Sequence, residues 1–418
     1  MTMPGADDRT LEQMLLMDPA TLKCPYHYDS TLRDQAPVHK DPMTGIYVVS
    51  TYELVREAHR NPTVFSNEFG LAVGAGAGMD PDIKEAMDSY VDFGKGTLLT
   101  IDDPGHKMYR DAVKDFFTAD NFQQYEPWIR DLAKDLVGKL AAKEQCNFIE
   151  EFTRPLPLSV IMHVLGIPLD MFDQAFKWTV DNVTVLSQMA EKDELIAAHH
   201  GVRDEYEWFE QALAERRGKP VEDLLGLVSN AEVEGRPCTL GEQLSYCTQF
   251  LVAGNETTTA TLAEGMRQLC KFPEQVAKVR ADRSLIPNLV DESLRLASPT
   301  SNMWRYTKSD IELGGVAIPK GSMVLLKYFS SNHDESMFED PLTFDVTRAN
   351  AKRHIAFGFG THVCIGQHLS KLEMIIGWEE LFNGLDNFEL ACADEELEYM
   401  PNILLRGLEE IPITYSAK

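Results

Sequence analysis

One ten-residue segment, 357–366, constrains this chain more than any other. Its residues are Phe-Gly-Phe-Gly-Thr-His-Val-Cys-Ile-Gly, and a helical pattern begins directly after it at Gln367. Three glycines let the backbone approach a large flat ligand and adopt angles that other residues avoid. Cys364 stands just before the predicted helix, where free backbone N–H groups and the helix dipole favour an anionic sulfur. The segment therefore predicts a thiolate ligand for haem iron, with a structural cysteine in a glycine-rich turn as the alternative.

The composition is typical of a globular chain without a membrane segment. Of the 418 residues 44% are hydrophobic and 25% are charged. No apolar run approaches the ~20 residues that span a bilayer, and no signal peptide is recognisable, so the cytoplasm is the predicted location. The seven cysteines include no CxxC pair, which argues against a zinc site or a disulfide framework. A net charge of −27 argues against nucleic acid or an anionic membrane as a partner.

The pattern of hydrophobic residues predicts a mainly α-helical protein with small peripheral β-sheets. A β-rich part covers roughly residues 1–100, a helical body roughly 104–300, and a mixed part roughly 301–418. The body contains a long helix over 240–271 that ends before Pro273. We find no internal repeat and no low-complexity linker.

A second motif reads Asp-Pro-Gly-His-Lys-Met-Tyr-Arg over residues 103–110. His106 and Arg110 are four residues apart at the start of a predicted helix, so they share one face. Two hydrogen-bond donors on one face suit the carboxylates of a bound anion such as haem. A solvated helix face is the alternative.

The third motif, Ala-Gly-Asn-Glu-Thr-Thr-Thr over 253–259, lies in the middle of the long helix. In a helix interior, glycine is less favourable than alanine by about 1 kcal/mol, and threonine hydroxyls can donate hydrogen bonds to preceding backbone carbonyls. Ala253 and Gly254 predict a groove or kink that admits a small molecule, with Glu256 and Thr257 as an acid and a hydroxyl for proton delivery. Close packing of Gly254 on a neighbouring helix is the alternative.

Two further segments carry a predicted charge cluster. Glu292 and Arg295 form an i,i+3 pair on a helix, and Arg348 precedes the cysteine segment. If these three side chains meet in the interior, they stabilise the fold, because the loss of one partner leaves a buried charge unpaired. Ordinary surface ion pairs are the alternative.

Taken in order, these motifs resemble the cytochrome P-450 superfamily, specifically its soluble bacterial haem-thiolate monooxygenases. The resemblance rests on AGxET(T), ExxR, PxxFxxxR and above all FGxGxHxCxG, and it covers essentially the whole chain. It implies a single domain over 1–418, with haem b buried between the long helix and the helix after Cys364.

The resemblance also implies individual roles. Cys364 would ligate the iron, Glu256 and Thr257 would be catalytic, and Phe357 would pack near the sulfur. His106, Arg110, Arg305 and His362 would hold the haem propionates. The residues expected around the cofactor are His106, Arg110, Ala253, Gly254, Arg305, Phe357, Gly358, His362, Cys364 and Gly366. The substrate pocket would contain Val73, Phe93, Val252, Ala253, Met303 and Leu404, which favours a terpenoid, steroid, fatty or aromatic substrate.

Electrons would come from NAD(P)H through a ferredoxin reductase and a ferredoxin, since no flavin or iron–sulfur segment is fused to the chain. The expected docking surface is basic and consists of Lys107, Arg110, Lys114, Lys352 and Arg353. A peroxide-driven peroxygenase and a haem-binding sensor without turnover are the alternatives, and the presence of Glu256 and Thr257 argues against both.

Overall fold

A computed structural model describes residues 9–69, 80–89, 96–187 and 190–418. Helices dominate these residues. They are α1 (Pro19–Lys23), α2 (Tyr26–Gln35), α3 (Tyr52–Arg60), α4 (Pro81–Asp88), α5 (Gly105–Val113), α6 (Ala119–Phe122), α7 (Glu126–Ala141), α8 (Pro155–Leu165), α9 (Phe172–Ser187), α10 (Lys192–Arg216), α11 (Leu224–Ser229), α12 (Leu240–Lys271), α13 (Pro273–Ala281), α14 (Ile286–Ala297), α15 (Tyr328–Asn332) and α16 (Gln367–Gly384).

The strands are short and lie at the periphery. They are β1 (Val38–Lys40), β2 (Tyr47–Val49), β3 (Phe65–Ser66), β4 (Gln145–Asn147), β5 (Glu232–Val233), β6 (Arg236–Pro237), β7 (Asn302–Thr307), β8 (Ile311–Leu313), β9 (Val316–Ile318), β10 (Met323–Lys327), β11 (Leu385–Leu390) and β12 (Pro412–Ala417). The largest sheet has the order β1-β2-β10-β7-β3, with β2 and β10 parallel and the other pairs antiparallel. A second sheet has the order β11-β12-β4, and β5-β6 and β8-β9 are hairpins.

The expectation of a β-rich part over roughly 1–100 needs correction. In the described residues of this part, α1 to α4 contain more of the chain than the strands β1 to β3. Asp18 caps the N-terminus of α1, because its carboxylate accepts a hydrogen bond from the N–H of Ala20. Strands β1 to β3 have only two or three residues each. They belong to a sheet whose longer strands, β7 and β10, come from residues 302–327.

The long helix α12 is the centre of the fold. It begins at a capping box, in which Thr239 Oγ1 accepts from the N–H of Glu242 and the Glu242 carboxylate accepts from the N–H of Thr239. Most of its C-terminal half is buried, and it packs against α8, α14 and α16. This packing places the middle of α12 opposite the helix that follows Cys364.

Helices α9 and α10 join α12 through a buried carboxyl group. Glu205 on α10 accepts hydrogen bonds from Asn182 Nδ2 on α9 at 2.5 Å and from Thr248 Oγ1 on α12 at 3.1 Å. Burial raises the pKa of Glu205 to about 8, since desolvation disfavours the carboxylate. One side chain therefore fixes these two helices to the central one.

The predicted charge cluster is present in the interior. Arg295 donates two hydrogen bonds of 2.8 Å to the Glu292 carboxylate, and Arg348 Nε donates a third at 2.9 Å. The side chains of Glu292 and Arg295 are 0% exposed. Arg295 also donates to the carbonyls of Asn332 and Pro341. The cluster therefore joins α14 to the chain that leads to the cysteine segment.

Across residues 9–69, 80–89, 96–187 and 190–418, none of the helices combines the length and the apolar character that a membrane span requires.

Candidate active site

The cysteine segment forms a loop whose backbone conformation favours glycine at two positions. Gly358 and Gly360 have φ values of 73° and 75°, which other residues rarely adopt. A Cβ atom at Gly360 would lie 3.2 Å from the carbonyl oxygen of His59. The N–H of Cys364 donates to the carbonyl of Phe357 at 2.8 Å and closes the loop. Cys364 thus stands three residues before α16, as the sequence predicts.

The Cys364 thiol experiences opposing effects. Burial raises its pKa, whereas the backbone N–H groups of Gly366 and Gln367 and the charge of Arg110 act to lower it. The first effect is larger in the protein alone. An iron cation at the sulfur would reverse the balance, because a coordinating thiol is deprotonated outright.

Two predicted histidines face each other beside this loop. The rings of His106 on α5 and His362 in the loop have centroids 3.9 Å apart. His362 Nδ1 lies 3.2 Å from the carbonyl oxygen of Leu98, and burial lowers the pKa of His362 to about 3. His106 is buried; its Nδ1 lies 3.4 Å from Asp103 Oδ1, and its Nε2 makes no hydrogen bond within the described residues. Burial lowers the pKa of His106 as well and therefore favours the neutral form of both imidazoles.

Arg305 projects from β7 and is held by two residues that sequence reasoning missed. Its guanidinium donates to the carbonyl of Trp304 at 2.6 Å and lies 3.2 Å from His59 Nδ1. His59 Nε2 in turn lies 2.8 Å from Tyr328 Oη. Residues 59, 305 and 328 come from three separate elements, so no spacing along the chain signals their contact.

These donors fit a haem. Arg305 is buried and Arg110 is half-buried, and no carboxylate of the described chain forms an ion pair with either. Burial lowers the pKa of both guanidinium groups. Buried charges and buried polar groups ordinarily have partners, and the two carboxylates of a haem would supply them to Arg110, Arg305 and His106. Cys364 supplies the sulfur ligand beside them.

The acid–alcohol pair lies in the middle of α12. Thr257 Oγ1 donates to the carbonyl of Ala253 at 3.1 Å, which is the hydroxyl-to-carbonyl bond expected from the motif. Burial raises the pKa of Glu256, and Arg154 partly opposes this effect. Ala253 is exposed on a helix that is otherwise largely buried. The pair therefore borders an accessible stretch of α12.

Gly254 has a packing role. A Cβ atom at this position would lie 2.8 Å from Ile161 Cγ1 on α8. The glycine thus allows α12 and α8 to pack closely, which is the alternative weighed for it above. A contact of Gly254 with the cofactor stays a prediction.

A second polar network in this region has no signature in the sequence. Thr258 Oγ1 on α12 lies 3.0 Å from Ser370 Oγ on α16. Glu373, one turn further along α16, is 1% exposed and its Oε2 has no hydrogen-bond partner among the described residues. Burial raises the pKa of Glu373 well above its ordinary value. A buried carboxyl group whose charged form is disfavoured therefore lies between the two helices expected to enclose the haem.

The predicted pocket residues divide into three groups. Val252 and Met303 are partly exposed, and Ala253 is exposed. Leu404 is 6% exposed and packs in the core with Trp304. Val73 and Phe93 lie outside the described residues.

Three of the five residues expected to form the basic docking surface are paired with a carboxylate or half-buried. Lys107 and Lys114 both pair with Asp111 and lower the pKa of its carboxyl to about 2, so their charges are partly neutralised. Arg110 is half-buried and turned toward the cofactor donors rather than the surface. Lys352 and Arg353 are exposed, and no carboxylate of the described residues pairs with either.

Two arginines that the sequence analysis did not select extend this surface. The guanidinium carbons of Arg56 and Arg60 on α3 lie 4.6 and 5.6 Å from the ring centroid of Phe359 in the cysteine loop. Cation–π contact and a shared pairing with Glu53 hold both beside the loop. The cations beside the loop therefore include two residues of α3, the partly buried Arg56 and the exposed Arg60.

Comparisons with known proteins identify the family of this chain. The family model for cytochrome P-450 matches residues 43–408. A steroid C26-monooxygenase of Mycobacterium tuberculosis is 31% identical over 385 residues, covering 92% of this chain and 98% of that protein. Cyclomarin C epoxidase of Salinispora arenicola is 29% identical, covering 89% of this chain and 91% of that protein.

The solved structures agree as well. A cytochrome P-450 from Chondromyces apiculatus superposes with a TM-score of 0.84 at 32% identity, covering 98% of this chain and 100% of that one. The family match extends over most of the chain and includes the cysteine loop. The chain therefore belongs to the cytochrome P-450 family of haem-thiolate monooxygenases, whose cofactor is a haem with a cysteine-ligated iron.

Proposed function

We propose that this enzyme inserts one oxygen atom of O₂ into a hydrophobic small molecule in the cytoplasm. Its electrons would come from NAD(P)H through a separate ferredoxin reductase and ferredoxin. The observation that carries the proposal is the acid–alcohol pair, Glu256 and Thr257, beside the exposed Ala253 on α12. An acid whose pKa is raised toward neutrality suits proton transfer at physiological pH.

Each residue of the site then has a defined task. When bound, the haem supplies the iron at which dioxygen is activated. Cys364 ligates this iron, and His106, Arg110, Arg305 and His362 hold the propionates. His59 and Tyr328 keep the Arg305 guanidinium in place.

Proton delivery is the task of the α12 pair. Desolvation raises the pKa of the Glu256 carboxyl, which suits it to carry a proton, and Thr257 presents its hydroxyl one residue further along the helix. In the protein alone this hydroxyl donates to the Ala253 carbonyl. A side-chain rotation of Thr257 would free it to donate toward the haem.

The substrate class follows from the apolar side chains near α12 and β7. Val252 and Met303 are partly exposed hydrophobic residues there, and terpenoid, steroid, fatty and aromatic molecules all suit such a surface. One relative is named for steroid oxidation and another for epoxidation of cyclomarin C. We propose a steroid-like or comparably apolar molecule. Titrating the purified protein with a panel of such compounds tests this, because a true substrate displaces iron-bound water and changes the spin state.

Replacing Thr257 by alanine tests the monooxygenase proposal. We expect NAD(P)H consumption to continue while product formed per NAD(P)H falls at least about tenfold, because proton delivery loses its hydroxyl. Released hydrogen peroxide should account for the difference. Product and peroxide are both measured against NAD(P)H oxidation with ferredoxin and reductase present.

Thr261→Ala is the matched control. Thr261 lies one turn later on α12, is buried, and donates to the Thr257 carbonyl at 2.8 Å, so its loss removes a similar hydrogen bond. Tight coupling in Thr257→Ala would contradict the relay role. Efficient product formation with peroxide alone would support the peroxygenase alternative, and binding without any turnover would support the sensor.

The docking proposal is tested by charge reversal. We propose that an acidic ferredoxin binds the surface that contains Lys352 and Arg353, the two expected cations without a carboxylate partner among the described residues, with the exposed Arg60 beside them. The double variant Lys352→Glu/Arg353→Glu should slow reduction by ferredoxin roughly tenfold at low salt, and the difference should shrink as salt screens the charges. Stopped-flow reduction kinetics measure both effects.

A control variant keeps the net charge equal. Lys139→Glu/Lys219→Glu changes the same number of charges on exposed residues of other elements. It should leave the rate within about twofold of the original, because steering depends on local charge. Equal slowing in both double variants would show an effect of net charge alone and would contradict this docking surface.

A further inference from the structure

A charged cluster lies behind the cysteine loop and has no role in the tasks described above. Lys371 Nζ on α16 lies 2.6 Å from Asp291 Oδ1 on α14, and His354 Nε2 lies 3.5 Å from the same oxygen. The Lys371 side chain is 34% exposed, whereas those of Asp291 and His354 are 14% and 3% exposed. The carboxylate is thus mostly withdrawn from water and the ammonium only partly.

The cluster contacts the loop through Phe357. The Lys371 ammonium lies 5.7 Å from the centroid of the Phe357 ring, and the His354 ring centroid lies 5.7 Å from it on another side. The carbonyl of Phe357 accepts the hydrogen bond from the N–H of Cys364 at 2.8 Å. One aromatic residue therefore separates a lysine–aspartate pair from the iron ligand.

His354 is the third member of the cluster, and its burial favours the neutral imidazole. Its Nδ1 accepts from the N–H of Ala356 at 3.2 Å, which leaves the proton on Nε2, facing Asp291. Burial lowers the pKa of His354, and the nearby carboxylate only partly opposes this. The formal charges of the cluster are then one positive, on Lys371, and one negative, on Asp291.

We propose that Lys371 and Asp291 set the reduction potential of the haem iron, acting as an opposed pair of charges behind Phe357. This inference rests on the proposed role of Cys364 as the iron ligand. One-electron reduction of ferric to ferrous iron adds a negative charge close to the sulfur. A nearby cation stabilises the reduced state and a nearby anion destabilises it. Lys371 and Asp291 are positioning residues, because neither touches the reacting atoms.

The test compares variants that remove one charge at a time. Lys371→Met leaves Asp291 unbalanced, so the potential should fall, with the reduction equilibrium shifted by about tenfold, or about 59 mV for one electron. Asp291→Asn leaves Lys371 unbalanced, so the potential should rise by a comparable amount. The double variant should return toward the original value, and Lys371→Arg should preserve it. Redox titration of the purified holoenzyme against dithionite measures each potential.

A matched pair provides the control. Lys177 Nζ and Asp181 Oδ2 on α9 are also 2.6 Å apart, and their side chains are 57% and 12% exposed. Helix α9 is separate from the cysteine loop. Lys177→Met and Asp181→Asn should leave the potential unchanged. A merely structural role for the cluster predicts shifts of the same sign in Lys371→Met and Asp291→Asn, or no shift, and either result would overturn the inference.

The outcome is separable from that of the proposed function. The carbon monoxide spectrum of the original protein reports thiolate ligation independently of the potential. If that spectrum shows a thiolate and the single variants fail to shift in opposite directions, the tuning inference alone is wrong. If the thiolate signature is absent in the original protein, the role of Cys364 fails, and this inference fails with it.

Discussion

Replacing Cys364 by serine should abolish the spectrum of thiolate ligation together with monooxygenase turnover. In the original protein we expect the reduced carbon monoxide complex to have the strongly red-shifted band that a thiolate ligand produces. A serine hydroxyl is a poor ligand for haem iron and does not donate electron density as a thiolate does. Haem binding itself should weaken less, because Arg110, Arg305 and His106 remain to hold the propionates.

The measurement is an absorption spectrum of the reduced, carbon monoxide-treated protein, followed by product assay. Cys392→Ser is the matched control, since Cys392 is partly exposed like Cys364 but lies outside the cysteine segment 357–366. This control should retain both the band and the activity. A persisting red-shifted band in Cys364→Ser would assign the iron to another ligand and remove the basis of the proposed function.

Local sequence patterns predicted the elements that depend on local physics. The helix expected over 240–271 is α12 at Leu240–Lys271, because a capping box begins it and Pro273 follows its end. The glycines at 358 and 360 have the positive φ values that only glycine adopts easily. Cys364 lies before α16 as expected, since a loop and the helix after it are continuous in the chain.

Contacts between distant residues could not be predicted in the same way. His59 and Arg305 are separated by 246 residues and meet only because β7 pairs into the sheet beside α3. The close approach of α8 explains Gly254, yet Ile161 gives no sign of it in the sequence. The neutralisation of Lys107 and Lys114 by Asp111 was readable from the i,i+4 and i,i+3 spacings, and the docking prediction overlooked it.

The buried ion cluster gives the largest expected effect on stability. In Glu292→Gln, the guanidinium of Arg295 keeps its place among the carbonyls of Asn332 and Pro341 but loses the carboxylate that balances its charge. Arg348 loses the same partner.

Removing one member of a buried pair leaves an uncompensated charge, and the expected loss in the free energy of unfolding is about 3–5 kcal/mol. Asp135→Asn is the control, because it breaks the exposed pair of Asp135 with Lys139, whose side chains are 60% and 67% exposed. An exposed pair of this kind contributes about 0–1 kcal/mol.

Urea unfolding of the holoenzyme, followed by far-ultraviolet circular dichroism and haem absorbance together, measures both variants. A loss below about 1 kcal/mol in Glu292→Gln would contradict the structural role, because the cluster would then behave as a surface ion pair does. The expected result instead links stability to the cofactor: Arg348 and Thr343 precede the cysteine loop, so weakening their attachment to α14 should also speed haem loss.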